Sequence, residues 1–210
     1  MNVKRSKEAT GGLGKPSKMP GLAYGLPAAA CPTGSRLANA GIAGPCADCY
    51  AKKANYRYPS VATAQANRLR ALQHPDWTRA MVWSIRRAGE TWFRWHDSGD
   101  IQDMEHMSKI MDVCAQTPEV RHWIPTQEWG IVRKYVEQGG TIPANVVVRF
   151  SARKYGDQPR LRVWNNWSSV SESGTASDAF ACPARGQGNQ CLDCRACWNP
   201  DVVHVVYHKH

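Results

Sequence analysis

The chain has no long hydrophobic run. No window reaches the ~20 apolar residues that a membrane-crossing helix needs, so no membrane partner is expected. It has no internal repeat and no low-complexity tract, which sets aside solenoid and fibrous architectures. The opening residues Met1-Asn2-Val3-Lys4-Arg5-Ser6-Lys7 carry positive charge with no apolar stretch behind them. A secretory signal needs that stretch, so the cytoplasm is the expected compartment. Acidic residues are also scarce: 17 Asp and Glu stand against 27 Lys and Arg, a formal charge of +10.

What is present is cysteine, eight of them. Thiols in a reducing cytosol rarely form lasting disulfides, and clustered ones usually hold metal. Cys46 and Cys49 form one Cys-x-x-Cys, with Cys31 upstream. Cys191, Cys194 and Cys197 form a Cys-x-x-Cys-x-x-Cys run, with Cys182 upstream. Cys114 stands alone, three and four residues after Met111 and Ile110 on an apolar helical face, and reads as core.

The hydrophobic share of 42% is enough for a core. Residues 1–20 hold five Lys or Arg, three Gly and two Pro without apolar periodicity, and read as a mobile basic arm. Residues 21–210 read as one α/β metal-binding domain, with 182–198 as a carboxy-terminal cysteine loop. Leu22 to Ala30 could be a first strand, and the glycines between Cys31 and Cys46 suggest loop. Helices are expected from Ser60 to about Gln73, from Pro75 to Gly89, through Met104 to Cys114, and around Ile131 to Val136. Strands are expected at Trp92 to His96, Val120 to Thr126, Val146 to Phe150 and Val202 to Tyr207. This alternation predicts an α/β fold with a parallel, partial (β/α) barrel-like sheet. Residues 153–180 lose the rhythm and read as loop-rich.

The run from Cys191 to Cys197 has ferredoxin-type spacing for a [4Fe–4S] cluster, and Cys182-Pro183 fits the remote fourth ligand. A four-cysteine zinc ribbon is the alternative, although such ribbons usually pair two knuckles across a dozen or more residues. Cys31, Cys46 and Cys49 supply only three thiolates, which would leave one iron of a cube open. A fourth protein ligand, with His204, His208 and His210 as candidates, or a single cluster shared by both groups are the other readings. Asp97 and Asp100 close the second predicted strand, where open α/β sheets bind ligands. There His96 could shuttle a proton, or Asp97 and Asp100 could simply cap the helix near Asp103. Thr126, Gln127, Glu128, Arg149 and Ser151 end the following strands and could line the same mouth. The positive charge and nine tryptophans also suit weak, sequence-tolerant nucleic-acid binding.

Leu26-Pro27-Ala28, Cys31-Pro32, Cys46-x-x-Cys49-Tyr50-Ala51, His96-x-Ser98-Gly99-Asp100 and Cys182-Pro183 through Cys197-Trp198 together resemble the bacteriophage gene product 88 family. That resemblance implies an iron–sulfur protein of phage origin, acting in the host cytoplasm. More distantly, the layout is similar to radical S-adenosylmethionine enzymes. In that likeness Ser98, Gly99 and Asp100 would hold the methionine amino group, and S-adenosylmethionine would be a cofactor beside one or two [4Fe–4S] clusters. Those enzymes place three cysteines close together, whereas fourteen residues separate Cys31 from Cys46 here. Three functions therefore compete: an iron–sulfur protein with a redox or nucleic-acid role, a radical S-adenosylmethionine-like enzyme, and a zinc-binding nucleic-acid module.

Overall fold

Consecutive β-branched and apolar residues suit a strand covered on both faces. Val146-Val147-Val148-Arg149-Phe150-Ser151 has that pattern and forms the central strand of the computed structural model, which describes residues 1–159 and 164–209. The elements run α1 (Val3–Thr10), β1 (Leu22–Tyr24), α2 (Pro32–Asn39), α3 (Pro59–Ala71), α4 (Trp77–Ala88) and β2 (Trp92–Trp95). They continue with α5 (Met104–Ala115), β3 (Arg121–Thr126), α6 (Trp129–Glu137), β4 (Val146–Ser151), β5 (Trp167–Ser171), β6 (Phe180–Ala181) and β7 (His204–His208).

All seven strands are parallel, in the order β1-β2-β3-β4-β5-β7-β6. The edge strands β1 and β6 do not pair, so this is an open, partial barrel-like α/β sheet. No helix among the described residues is long and apolar enough to cross a membrane.

Alternation gives the sheet two different faces. Tyr24, Phe93, Trp95, Ile124, Val148 and Phe150 meet Trp77, Met81 and Ile85 of α4, Met107, Ile110 and Cys114 of α5, and Val132 of α6. Cys114 is fully buried there, as its helical spacing predicts. Ala23, Arg94, Trp123 and Val147 are aligned across β1, β2, β3 and β4 and belong to the opposite face. That face receives the carboxy-terminal cysteine segment.

Several sequence expectations are corrected. Residues 1–20 are not wholly a mobile arm. Asn2 caps α1 by accepting from Arg5 N, and Gly11 ends it at φ +74°. Ser6, Ala9 and Thr10 are buried, Ser6 Oγ donates to Ala80 O, and Tyr24 Oη donates to Thr10 O at 2.6 Å. The buried positions are small and mostly polar, so they leave no apolar stripe to read. The stretch after Cys31 holds α2 rather than loop alone, because Pro32 takes the first helical position, where its missing N–H has no cost. The first strand ends at Tyr24, and Ala28–Ala30 is a 3-10 turn. The loop-rich 153–180 region contains β5, paired with both β4 and β7.

Burial has a pH consequence. His106 and His122 are held at about 4 and about 3 by desolvation, below the usual 6.5. The fold therefore keeps them neutral while the unfolded chain binds protons, so their contribution is intact above about pH 6.5 and is lost as pH falls. We expect urea unfolding to show stability dropping by roughly 1.4 kcal/mol per pH unit for each histidine between about pH 6 and 4. His122→Phe should flatten that slope; an unchanged slope would contradict the assignment.

Candidate metal centres

Past β1, the chain enters the 3-10 turn Ala28–Ala30 and reaches Cys31 in an extended conformation (φ −63°, ψ 116°) as the residue before α2. One turn into α2, a Cβ placed on Gly34 would lie 3.1 Å from Cys31 Cβ, 3.5 Å from Cys46 Sγ and 3.8 Å from Cys31 Sγ. A glycine here lets both sulfurs approach the same patch of helix. Gly44 is pressed against the Arg153 carbonyl, where a Cβ would stand only 2.1 Å away, and its own carbonyl accepts from Ala47 N and Asp48 N. This fixes the turn that carries Cys46 and Cys49. Burial raises the Cys31 thiol pKa well above the usual range, with Asp100, Cys49 and Cys46 adding to it. Burial pushes Cys46 up to about 11, reinforced by Cys49 and Asp100. The three sulfurs thus share one desolvated site in which each negative charge opposes the others.

The acidic groups beside them are structural braces. Glu128 accepts from Thr33 N at 2.7 Å and Thr33 Oγ1 at 2.8 Å, placing a carboxylate at the amino end of α2. Asp100 accepts from Ile101 N (2.8 Å), Thr126 Oγ1 (2.6 Å) and Gln127 N (2.8 Å), so both its oxygens are engaged. Burial still pushes Asp100 up to about 7 against those three donors. Asp103, not Asp97 or Asp100, caps α5 by accepting from His106 N.

The rest of the His96–Asp100 segment is clipped to the end of β1. His96 N donates to Tyr24 O at 3.0 Å and Leu26 N donates to Ser98 O at 2.7 Å. Gly99 sits at φ +77°, with Leu26 where a Cβ would go. His96 itself is at φ +57°, an uncommon conformation for a non-glycine residue. The Asp97 carbonyl accepts from Tyr50 Oη (2.5 Å) and Tyr56 Oη (3.2 Å), which brings the segment after Cys49 against it. Both ring nitrogens of His96, Oδ1 of Asp97 and Oγ of Ser98 are buried without a hydrogen-bond partner. Desolvation, aided by His106 and Arg94, holds the His96 pKa well below its ordinary value. Of the sequence candidates, His96, Asp97 and Ser98 keep hydrogen-bonding capacity for a ligand, while Asp100 is committed to β3.

At the other end, Cys182 follows β6, and its N–H donates to Val206 O at 2.9 Å. Its backbone (φ −64°, ψ 118°) matches that of Cys31, and a proline-initiated 3-10 turn, Pro183–Gln187, follows it. Cys191 N donates to Lys18 O, Cys194 N donates to Cys191 O, and Cys197 Sγ lies 3.2 Å from Tyr207 Oη. Burial raises the Cys182 thiol, with Cys194 adding; burial raises Cys191, with Cys182 and Cys194 adding. Burial pushes Cys197 up to about 12, although the Tyr207 hydrogen bond, Arg149 and Arg94 oppose it. These four sulfurs form a second group, and the first group's members do not figure among their electrostatic neighbours. His204 stacks on Trp167 and meets Ser169 Oγ at 2.8 Å, and His208 meets Arg185 at 3.1 Å. His210 lies outside the described residues.

All eight cysteines are free thiols. Among the described residues, no three His, Cys, Asp or Glu side chains converge tightly enough to chelate a single metal ion. The sequence reading missed Arg94, Tyr207 and the Lys18 carbonyl, because their roles come from strand register and chain crossing rather than from spacing. Because Asp100 accepts three donors, Asp100→Asn must turn an N–H toward at least one of them. We expect a stability loss of about 1–3 kcal/mol in urea unfolding; no measurable loss would mean the brace is not formed.

No curated protein and no solved structure matches this chain. A family model described as Gene product 88 matches residues 1–200, and the chain belongs to that family.

Proposed function

We propose that this protein is an iron–sulfur protein with two [4Fe–4S] sites, one held by Cys182, Cys191, Cys194 and Cys197 and one by Cys31, Cys46 and Cys49. The observation that carries the reading is the division of seven half-buried free thiols into two groups, each begun by a Cys-Pro of the same backbone conformation. A bound iron cluster would offset the burial that raises the thiols of Cys31, Cys46, Cys182, Cys191 and Cys197. Thiolates at the corners of a cube stand further apart than the ligands of one ion. The run Cys191, Cys194 and Cys197 with Cys182 favours a cluster over a zinc ribbon, which usually pairs two knuckles across a dozen or more residues.

When bound, such clusters supply one-electron transfer, and an iron without a thiolate can take a small ligand. The three-cysteine group has that open corner. The unpartnered atoms of His96, Asp97 and Ser98 belong to the strand-end segment on which Tyr50, the neighbour of Cys49, is hydrogen-bonded. We therefore assign substrate or cofactor binding to the amino-terminal site, and electron storage to the carboxy-terminal one. S-adenosylmethionine is one candidate for the former, with its amino group meeting Asp97 or Ser98 more readily than the occupied Asp100.

Protein purified without oxygen should be brown and contain about eight irons with matching acid-labile sulfide per chain. Cys194→Ser and Cys49→Ser should each lose about half of that iron, whereas Cys114→Ser should keep all of it. Stoichiometric zinc without sulfide, from iron-replete cells, would refute the proposal.

A further inference from the structure

The two cysteine groups are joined by side chains on the face of the sheet opposite α4, α5 and α6. Arg94 and Trp123 are direct partners in β2 and β3, so they point to the same side, and the Arg94 guanidinium lies 4.5 Å from the Trp123 ring centre. On one flank, Arg94 Nη2 donates to Tyr50 Oη at 2.9 Å, and Tyr50 is the neighbour of Cys49. On the other, Trp123 meets Trp198 edge to face at 5.1 Å, and Trp198 is the neighbour of Cys197. Trp198 is further fixed by its Nε1 donating to Phe93 O at 2.9 Å and by contact with Trp92 at 5.6 Å. The small Ala23, partner of Arg94 on the β1 side, leaves room for the guanidinium. A continuous path, Cys49-Tyr50 to Arg94 to Trp123 to Trp198-Cys197, therefore crosses the molecule.

We propose that the two cluster sites form one electronically coupled unit, and that Arg94, in the Tyr50–Arg94–Trp123–Trp198 bridge, tunes the carboxy-terminal cluster. This rests on the iron–sulfur reading above. An electron placed on either cluster by a one-electron reductant passes to the other, which is reduced by one as the first is reoxidised; no atom or proton moves. Arg94 is a positioning and tuning residue rather than a ligand. Its positive charge is held on the Trp123 ring, which packs on Trp198, the neighbour of Cys197. The same charge would favour the more negative, reduced cluster.

The test uses the full chain with its iron and sulfide already counted, reduced with dithionite and followed by electron paramagnetic resonance. Coupling predicts split or broadened signals from two interacting spins, collapsing to one simple signal in Cys194→Ser. Redox titration of Arg94→Gln should lower the carboxy-terminal potential by the equivalent of a roughly tenfold change, about 59 mV for one electron. Arg94→Lys keeps the charge and should restore most of that shift, whereas a merely structural arginine would leave lysine as impaired as glutamine. Two additive, non-interacting signals from a chain with full iron for both sites would overturn the coupling. Should the arginine variants fail to fold, the wild-type spectrum still decides. An iron count short of two clusters would instead overturn the underlying reading before any spectrum is compared.

Discussion

The carboxy-terminal half of the molecule depends on one buried guanidinium. Arg149, in the central strand β4, is completely buried and, among the described residues, has no carboxylate partner. Its Nη1 donates to the carbonyls of Trp167, Val202 and Val203, and its Nη2 donates to those of Ala196 and Asn199. Burying a charge costs several kcal/mol unless hydrogen bonds compensate it. Here the compensation comes from the start of β5, the cysteine turn and the approach to β7. The polar backbone of an irregular segment would otherwise be left unsatisfied against the sheet. Arg149 thus resolves two problems together, its own desolvation and that of the segment it holds. The placement of Cys191, Cys194 and Cys197 follows from that.

The same alternation that buries Arg149 sets what each face of the sheet can do. The helix-facing side carries the aromatic and aliphatic contacts that stabilise the fold, with Tyr24 edge-on to both Trp77 and Trp95. The opposite side carries Arg94, Trp123 and Arg149 in adjacent strands, cations and a large ring where a doubly covered sheet usually has only aliphatic residues. Tryptophan is therefore abundant for packing reasons on both faces. The cleft of about 280 Å³ between α3 and α5, lined by Leu69, Leu72, Gln102 and Lys109, belongs to the helical layer rather than to the cysteines.

Periodic elements were legible in the sequence, and elements made by local chemistry were less so. The helices beginning at Pro59 and Trp77 and ending at Gly89, and the strands β2, β3 and β4, follow from spacing and capping residues. The helix α1 was hidden because Ser6 and Thr10 replace an apolar stripe with small polar side chains that bond to Ala80 and to the helix itself. The helix α2 was hidden because its glycine serves sulfur access rather than chain breaking. β5 was hidden because Ser168 and Ser169 are polar yet buried, with Ser169 satisfied by His204. The cysteine motifs and their division into groups of three and four were readable in spacing, but the separation of the two groups in space was not. That separation comes from where β1 and β6 lie, at opposite edges of a sheet whose order follows from every crossover.

Those opposite edges give two thiol groups of similar backbone entry very different electrostatic settings. The amino-terminal group lies among carboxylates: Asp100 and Glu128 both push the Cys31 and Cys46 thiols up, and only Lys52 opposes them at Cys46. The carboxy-terminal group lies among cations, with Arg94 and Arg195 acting on Cys191 and Arg149 and Arg94 acting on Cys197. The difference has a simple origin. Asp100 and Glu128 stand just beyond β2 and β3, where loops converge at the carboxyl edge of a parallel sheet. Arg94 and Arg149 stand within β2 and β4, on the face that the carboxy-terminal segment crosses. The group of four cysteines is the one supplied with arginines. The group of three has acidic neighbours instead, and those carboxylates are occupied by Thr33, Ile101, Thr126 and Gln127. One sheet, through its edge and its face, thus gives the same pair of Cys-Pro turns an acidic and a basic setting.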